Sequence, residues 1–144
     1  MEGKEITATS QGSSISDQQL FEMAKDALVN SYAPFSKFKV GAALLGNNGK
    51  VYTGVNVENS SFGATICAER TACVKAVSEG CKEFTKIAIA TEEGEAFPCG
   101  ICRQFLYEFA PDIDVITGID KDNLKKYKLR EMLIEGFALK GDEK

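Results

Sequence analysis

The chain has 144 residues, 44% of them hydrophobic and 26% charged, a length and balance that suit one soluble domain with a sizeable core and leave no room for two ordinary ones. Its formal net charge of -4 opposes binding of a polyanion, and its lack of histidine excludes Ser-His-Asp triads, Cys-His dyads and His-Glu-x-x-His metal sites, so neither a nucleic-acid partner nor a histidine mechanism is expected. No window approaches the roughly 18 to 20 uninterrupted apolar residues of a membrane-spanning helix, and the polar N-terminus lacks an apolar signal core, so a cytoplasmic protein with no membrane partner is expected.

Residues 1–15 are rich in Ser, Thr and Gly and read as a flexible tail, followed by a single domain over 16–144. Ser16 with Gln19 makes a capping-box pattern, and Leu20, Met23, Ala24, Ala27 and Leu28 recur behind it at helical spacing. A first helix is therefore predicted to about residue 31, with Pro34 ending it. Residues 40–45 and 51–57 are apolar, strand-like runs, and Asn47-Asn48-Gly49 between them is expected to supply the positive backbone angles of a tight hairpin. Residues 67–79 read as a second helix with Gly80 at its end. A buried strand centred on Ile87-Ala88-Ile89 follows over 86–91, and Pro98 suits the start of a third helix over 99–109. A further strand is predicted over 113–119, then a last strand and short helix over 124–134. Strands alternating with helices indicate an α/β layered domain. The basic residues Lys121, Lys125, Lys126, Lys128 and Arg130 are interleaved with Asp120, Asp122 and Glu131 and read as a solvated surface.

The chemistry is concentrated in two short segments, Cys67-Ala68-Glu69-Arg70 and Pro98-Cys99-Gly100-Ile101-Cys102. A catalytic zinc takes three protein ligands and keeps its fourth position for water, whereas a structural zinc is closed by four. Cys67, Cys99 and Cys102 are the candidate ligands of one Zn2+ per chain. Glu69, two residues after the first cysteine, is the candidate catalytic residue, a carboxylate placed to move protons beside the metal. Cys-x-Glu followed by Pro-Cys-x-x-Cys is the zinc-deaminase pattern in its all-cysteine form. Cys67 and Cys99 each fall at a predicted helix start, where free N–H groups and the helix dipole favour thiolate. Five cysteines without a secretory signal suit metal or catalytic use in a reducing compartment. Cys73 reads as a small buried apolar residue and Cys81 has no assigned role, although either could close a structural site of four cysteines.

Beyond these segments, Tyr32-Ala33-Pro34-Phe35-Ser36-Lys37-Phe38 with Val40-Gly41-Ala42-Ala43, Asn56-Val57-Glu58-Asn59 and Cys99-Gly100-Ile101-Cys102-Arg103-Gln104 occur in the order and spacing of one family. Over roughly residues 16–139 the chain resembles the cytidine deaminases of the small, homotetrameric, three-cysteine type. The resemblance implies a three-layer α/β/α fold with a mixed five-stranded sheet, and zinc-dependent removal of the 4-amino group from cytidine and deoxycytidine in pyrimidine salvage. It implies that Asn56 and Glu58 hold the ribose 3'-hydroxyl, that Phe38 stacks on the pyrimidine and that the backbone of Ala68 contacts the base. It gives Arg70 the task of donating hydrogen bonds to the ligand sulfurs, where the residue pattern by itself would also allow a surface ion pair. Phe137 resembles an aromatic that reaches a neighbouring subunit's site, which implies a homotetramer with shared active sites. Three positions depart from the family pattern: Phe62 where many relatives carry tyrosine, Phe97 before Pro98, and Glu135 where proline is usual. The competing readings are a deaminase of another aminopyrimidine on the same scaffold, a zinc-stabilised binding module without turnover and, third, a nucleic-acid editor, which the acidity disfavours.

Overall fold

The computed structural model describes residues 15–139 and 141. The expected tail over 1–14 lies outside them. Ile15, assigned to that tail, is instead 2% exposed and shares a buried cluster with Leu20, Phe21 and Ala24.

Helix α1 spans Asp17–Ala27 and runs on as a 3-10 turn over Leu28–Asn30. The capping box is present: Ser16 Oγ accepts from the Gln19 N–H at 3.0 Å while Gln19 Oε1 accepts from the Ser16 N–H at 2.9 Å. Strands β1 (Val40–Gly46) and β2 (Val51–Val55) form the expected hairpin. In its turn Gly49 alone takes a positive φ, 86°. Asn48 contributes through its side chain instead, accepting from the Lys50 N–H at 3.0 Å and donating to the Tyr52 hydroxyl at 3.0 Å. The second apolar run stops pairing as a strand at Val55, and Val57 keeps only isolated bridges to Tyr32 and Ile66.

Helix α2 (Ala68–Ser78), strand β3 (Phe84–Thr91), helix α3 (Gly100–Tyr107), strands β4 (Asp114–Gly118) and β5 (Leu124–Lys128) and the short helix α4 (Leu129–Met132) complete the chain order. The sheet runs β2-β1-β3-β4-β5. It is mixed: β3 and β4 pair parallel, and the other neighbours pair antiparallel.

Alternation along the central strands builds two cores. Ala42, Leu44, Ile87, Ile89 and Val115 face α2, α3 and α4, whereas Ala43, Ala88, Ala90 and Ile116 face α1. A three-layer α/β/α domain results. Leu20, Phe21, Ile87 and Leu106 are among its fully buried side chains, each worth about 1.5–3 kcal/mol of burial. The α2 layer approaches closely because β2 carries Gly54, where a Cβ would lie 2.4 Å from the Ala72 nitrogen and 2.5 Å from the Ala68 carbonyl oxygen. The basic surface is paired with carboxylates, as Lys126–Asp17 at 3.1 Å, Lys128–Asp114 at 2.9 Å and Arg130–Asp112 at 2.9 Å illustrate.

Strand direction then positions the chemistry. β1 is antiparallel to both β2 and β3, so β2 and β3 run the same way. The chain leaves β2 toward α2 and leaves β3 toward α3, and both helices therefore start beyond the same edge of the sheet. The carboxyl ends of strands in α/β sheets are where sites form.

Candidate metal and nucleoside site

Cys67 is the N-cap of α2 and Cys99 the N-cap of α3, and neither side chain caps the N–H groups of its helix. Both sulfurs are thus left for other partners in the positive field of a helix start. Cys102 lies one turn into α3, fully buried. The three Sγ atoms lie within 4.8 Å of one another, with Cys67 and Cys99 3.9 Å apart. A tetrahedral zinc with Zn–S bonds of about 2.3 Å requires sulfurs about 3.8 Å apart, so the donor set fits zinc in both type and spacing.

Arg70, in the first turn of α2, donates from Nη2 to Cys67 Sγ at 3.5 Å, and its Nε is buried without a partner. A guanidinium fixed beside the sulfurs offsets the formal charge of minus one that three thiolates leave on a divalent ion. It is not a surface ion pair. Cys67 is pushed down to about 5, first by a hydrogen bond from the Cys102 thiol, against burial, and then by Arg70. Cys102 is pushed up by that same bond and by burial. Cys73 lies in the core between α2 and the sheet, where burial raises its thiol to about 12, and Cys81 is buried as well. Among the described residues the metal-suited group has three members and includes neither of them, so a closed site of four cysteines is not formed.

Glu69 is 3% exposed, and burial pushes its carboxyl up to about 7, with the Cys67 charge adding to the rise and its own backbone N–H and Arg70 opposing it. A group that titrates near neutral pH both takes up and gives back a proton with little driving force lost.

A pocket of about 250 Å³ opens over these residues, lined by Phe38, Val40, Ala96 and Phe97 on its apolar walls, by Ser36, Asn56, Glu58 and Thr65 at its polar end, and by Cys67, Ala68, Glu69 and Cys99 at its floor. All the expected substrate contacts of this chain except Phe137 therefore meet in one place. Asn56 and Glu58 do more than end a strand. Asn56 Oδ1 accepts from Ser31 Oγ and from the Val40 N–H at 3.0 Å, and its Nδ2 donates to the Phe38 carbonyl at 2.7 Å. Glu58 accepts from the Phe35 and Ser36 N–H groups at 2.8 and 3.1 Å and from Ser36 Oγ. Together they pin the segment that carries Phe38.

Phe137 is 62% exposed and does not line this pocket; its carbonyl accepts from Gln104 Nε2 at 2.7 Å. Before it, Glu135 takes φ 61°, a conformation closed to proline. Phe62 stands outside the pocket with its ring 5.8 Å from Phe35. Sequence reading passed over Ser36, Val40, Thr65 and Ala96 as pocket residues and left Phe97 without a role. Ser36 and Val40 sit inside quoted motifs, whereas Thr65, Ala96 and Phe97 lie outside them.

Residues 14–118 match the family model described as the cytidine and deoxycytidylate deaminase zinc-binding region. The chain is 53% identical over 106 residues to a probable cytidine deaminase of Dictyostelium discoideum, covering 69% of this chain and 71% of that one. It is 41% identical over 123 residues to a cytidine deaminase of Halalkalibacterium halodurans, covering 84% and 93%. The crystal structure of cytidine deaminase from Burkholderia pseudomallei superposes with a TM-score of 0.80 at 40% identity, over 85% of this chain and all (100%) of that one. With the fold, the thiol cluster and these matches in agreement, the chain belongs to the zinc-binding cytidine and deoxycytidylate deaminase family.

Proposed function

We propose that this chain catalyses the hydrolytic deamination of cytidine and deoxycytidine to uridine and deoxyuridine, with release of ammonia, as a step of pyrimidine salvage. The observation that carries the reading is a cluster of three thiols at zinc spacing, two of which line one small pocket together with the buried Glu69 carboxyl.

Zinc, when held by Cys67, Cys99 and Cys102, supplies a Lewis acid that makes water nucleophilic near neutral pH. Glu69 accepts one proton from the attacking water and gives it to ring N3, then takes the second from the hydroxyl left on C4, which becomes the carbonyl, and gives it to the departing amine. Arg70 holds the sulfurs and balances their charge. The backbone of Ala68 and the ring of Phe38 hold the base. At the sugar end, Asn56 keeps one amide N–H after donating to Phe38, and Glu58 keeps acceptor capacity after its three bonds. One spare donor beside one spare acceptor suits a hydroxyl, which gives and takes one bond each, as the 3'-hydroxyl of a nucleoside does.

The assembly is a homotetramer in which Phe137 of one subunit enters the site of another. Its exposure outside its own pocket supports this, as do the exposed Tyr32, Phe35, Phe62 and Ile134. A site built on thiolates fits a reducing compartment, and the protein works in the cytoplasm. Among the described residues no helix is long and apolar enough to cross a membrane.

The test is ammonia release, with the accompanying ultraviolet change, from cytidine incubated with zinc-quantified protein. Turnover is expected, and its absence in protein carrying one zinc per chain would overturn the substrate assignment.

A further inference from the structure

The deaminase reading, on which this inference rests, places C4 of the pyrimidine beside Glu69 and the three thiols. Two ring atoms flank C4: N3 and C5. Glu69 serves N3, and it comes from the start of α2 together with Cys67 and Ala68. The loop between β3 and α3 adds a wall to the same pocket through Ala96, Phe97 and Cys99. Ala96 and Cys99 are small. Phe97 is the one bulky side chain on that wall, and it is 46% exposed.

The loop is anchored on both sides of this ring. Ala96 is buried in the core before it, and Pro98 is fully buried after it. The Pro98 carbonyl accepts from Arg103 Nε at 2.8 Å, and Arg103 Nη1 donates to the Met132 carbonyl at 2.7 Å, tying the loop to the end of α4. The Phe97 ring itself meets Tyr127 of β5 edge-on, with centroids 5.9 Å apart and planes at 64°. A ring braced on Tyr127 between two anchored residues forms part of the wall of a pocket of only about 250 Å³.

We infer that Phe97 is a specificity-determining residue of this enzyme: it faces C5 of the pyrimidine and sets which 5-substituted cytosines the pocket accepts. Hydrogen or fluorine at C5 fits against the ring, while a methyl group or bromine collides with it. One methyl-sized misfit in an apolar pocket changes kcat/KM by about 10- to 200-fold.

The experiment compares kcat/KM for cytidine, 5-fluorocytidine, 5-methylcytidine and 5-bromocytidine in the zinc-loaded full chain and in Phe97→Ala and Phe97→Leu. The ratio of 5-methylcytidine to cytidine is expected to rise about tenfold or more in Phe97→Ala and by a smaller factor in Phe97→Leu, with 5-bromocytidine following it and 5-fluorocytidine unmoved. A residue that merely supported the loop would lower all four substrates together. Ratios equal to wild type in variants that turn over cytidine would overturn the inference and leave the deaminase reading intact. Should Phe97→Ala fail to fold, as judged by circular dichroism, the ratio in Phe97→Leu decides. A wild-type protein that carries zinc and does not deaminate cytidine would overturn the deaminase reading itself, and this inference with it.

Discussion

The two ends of the pocket hold their functional groups in different ways. At the metal end, Cys67 and Cys99 occupy helix N-cap positions without capping their helices, so their sulfurs are not taken up by the helix-start N–H groups. At the sugar end, Asn56 and Glu58 spend most of their hydrogen-bonding capacity on the chain that carries Ser36, Phe38 and Val40. The metal end is therefore a chemical device mounted on a finished scaffold, whereas the other end is a structural joint to which the proposed function adds the binding of a sugar. Damage to the first should show in metal content and turnover, and damage to the second should mix affinity with stability.

The most severe test of this contrast is Cys102→Ala. It is expected to remove zinc and all measurable deamination together, as read by metal analysis and ammonia release. A zinc-replete, active variant would strike Cys102 from the ligand set. Next comes Glu69→Gln, which should keep its zinc and its fold while turnover falls by about 10²- to 10⁴-fold or more. Activity close to wild type would sink the proton-transfer role.

Asn56→Ala sharpens the other side of the comparison. It strands the Val40 N–H and the Phe38 carbonyl, and a buried group left unpaired costs about 1–3 kcal/mol. Both KM and the urea midpoint should shift. A change in KM at constant stability would show that the residue binds without bracing.

The smallest expected effect is one of pH. The Ser36 hydroxyl holds the Glu58 carboxyl below its ordinary range, burial opposes it, and the Phe35 and Ser36 N–H groups reinforce the lowering. The folded value is depressed, so the stabilisation is fully present above the unfolded glutamate value and is lost as pH falls through the folded one. The unfolding midpoint of wild type should therefore drop on acidification below the ordinary glutamate range. Ser36→Ala should flatten that dependence, and the other carboxyls held low, Asp17, Asp112 and Asp120, contribute a slope that both proteins share. Identical pH profiles in the two proteins would remove Ser36 from the joint.

Much of this architecture is legible in the sequence because its causes are local. The capping box at Ser16 and Gln19, the apolar spacing behind it, and cysteines placed just ahead of two helices act within one or two helical turns. The absence of histidine and the spacing of Cys67, Glu69, Cys99 and Cys102 restrict the chemistry before any fold is known. What the tertiary structure alone decided depends on residues far apart in the chain. The shared direction of β2 and β3 brings two helix starts to one sheet edge and closes the three sulfurs to metal spacing. Burial behind α2 lifts the Glu69 carboxyl to about 7. Pairing with Tyr127 and the anchoring of Pro98 by Arg103 turn Phe97 from an unplaced residue into a wall of the pocket. Propensity and capping are properties of a short window, but strand partners, solvent exclusion and pocket walls exist only after distant segments have packed, and no window of sequence contains them.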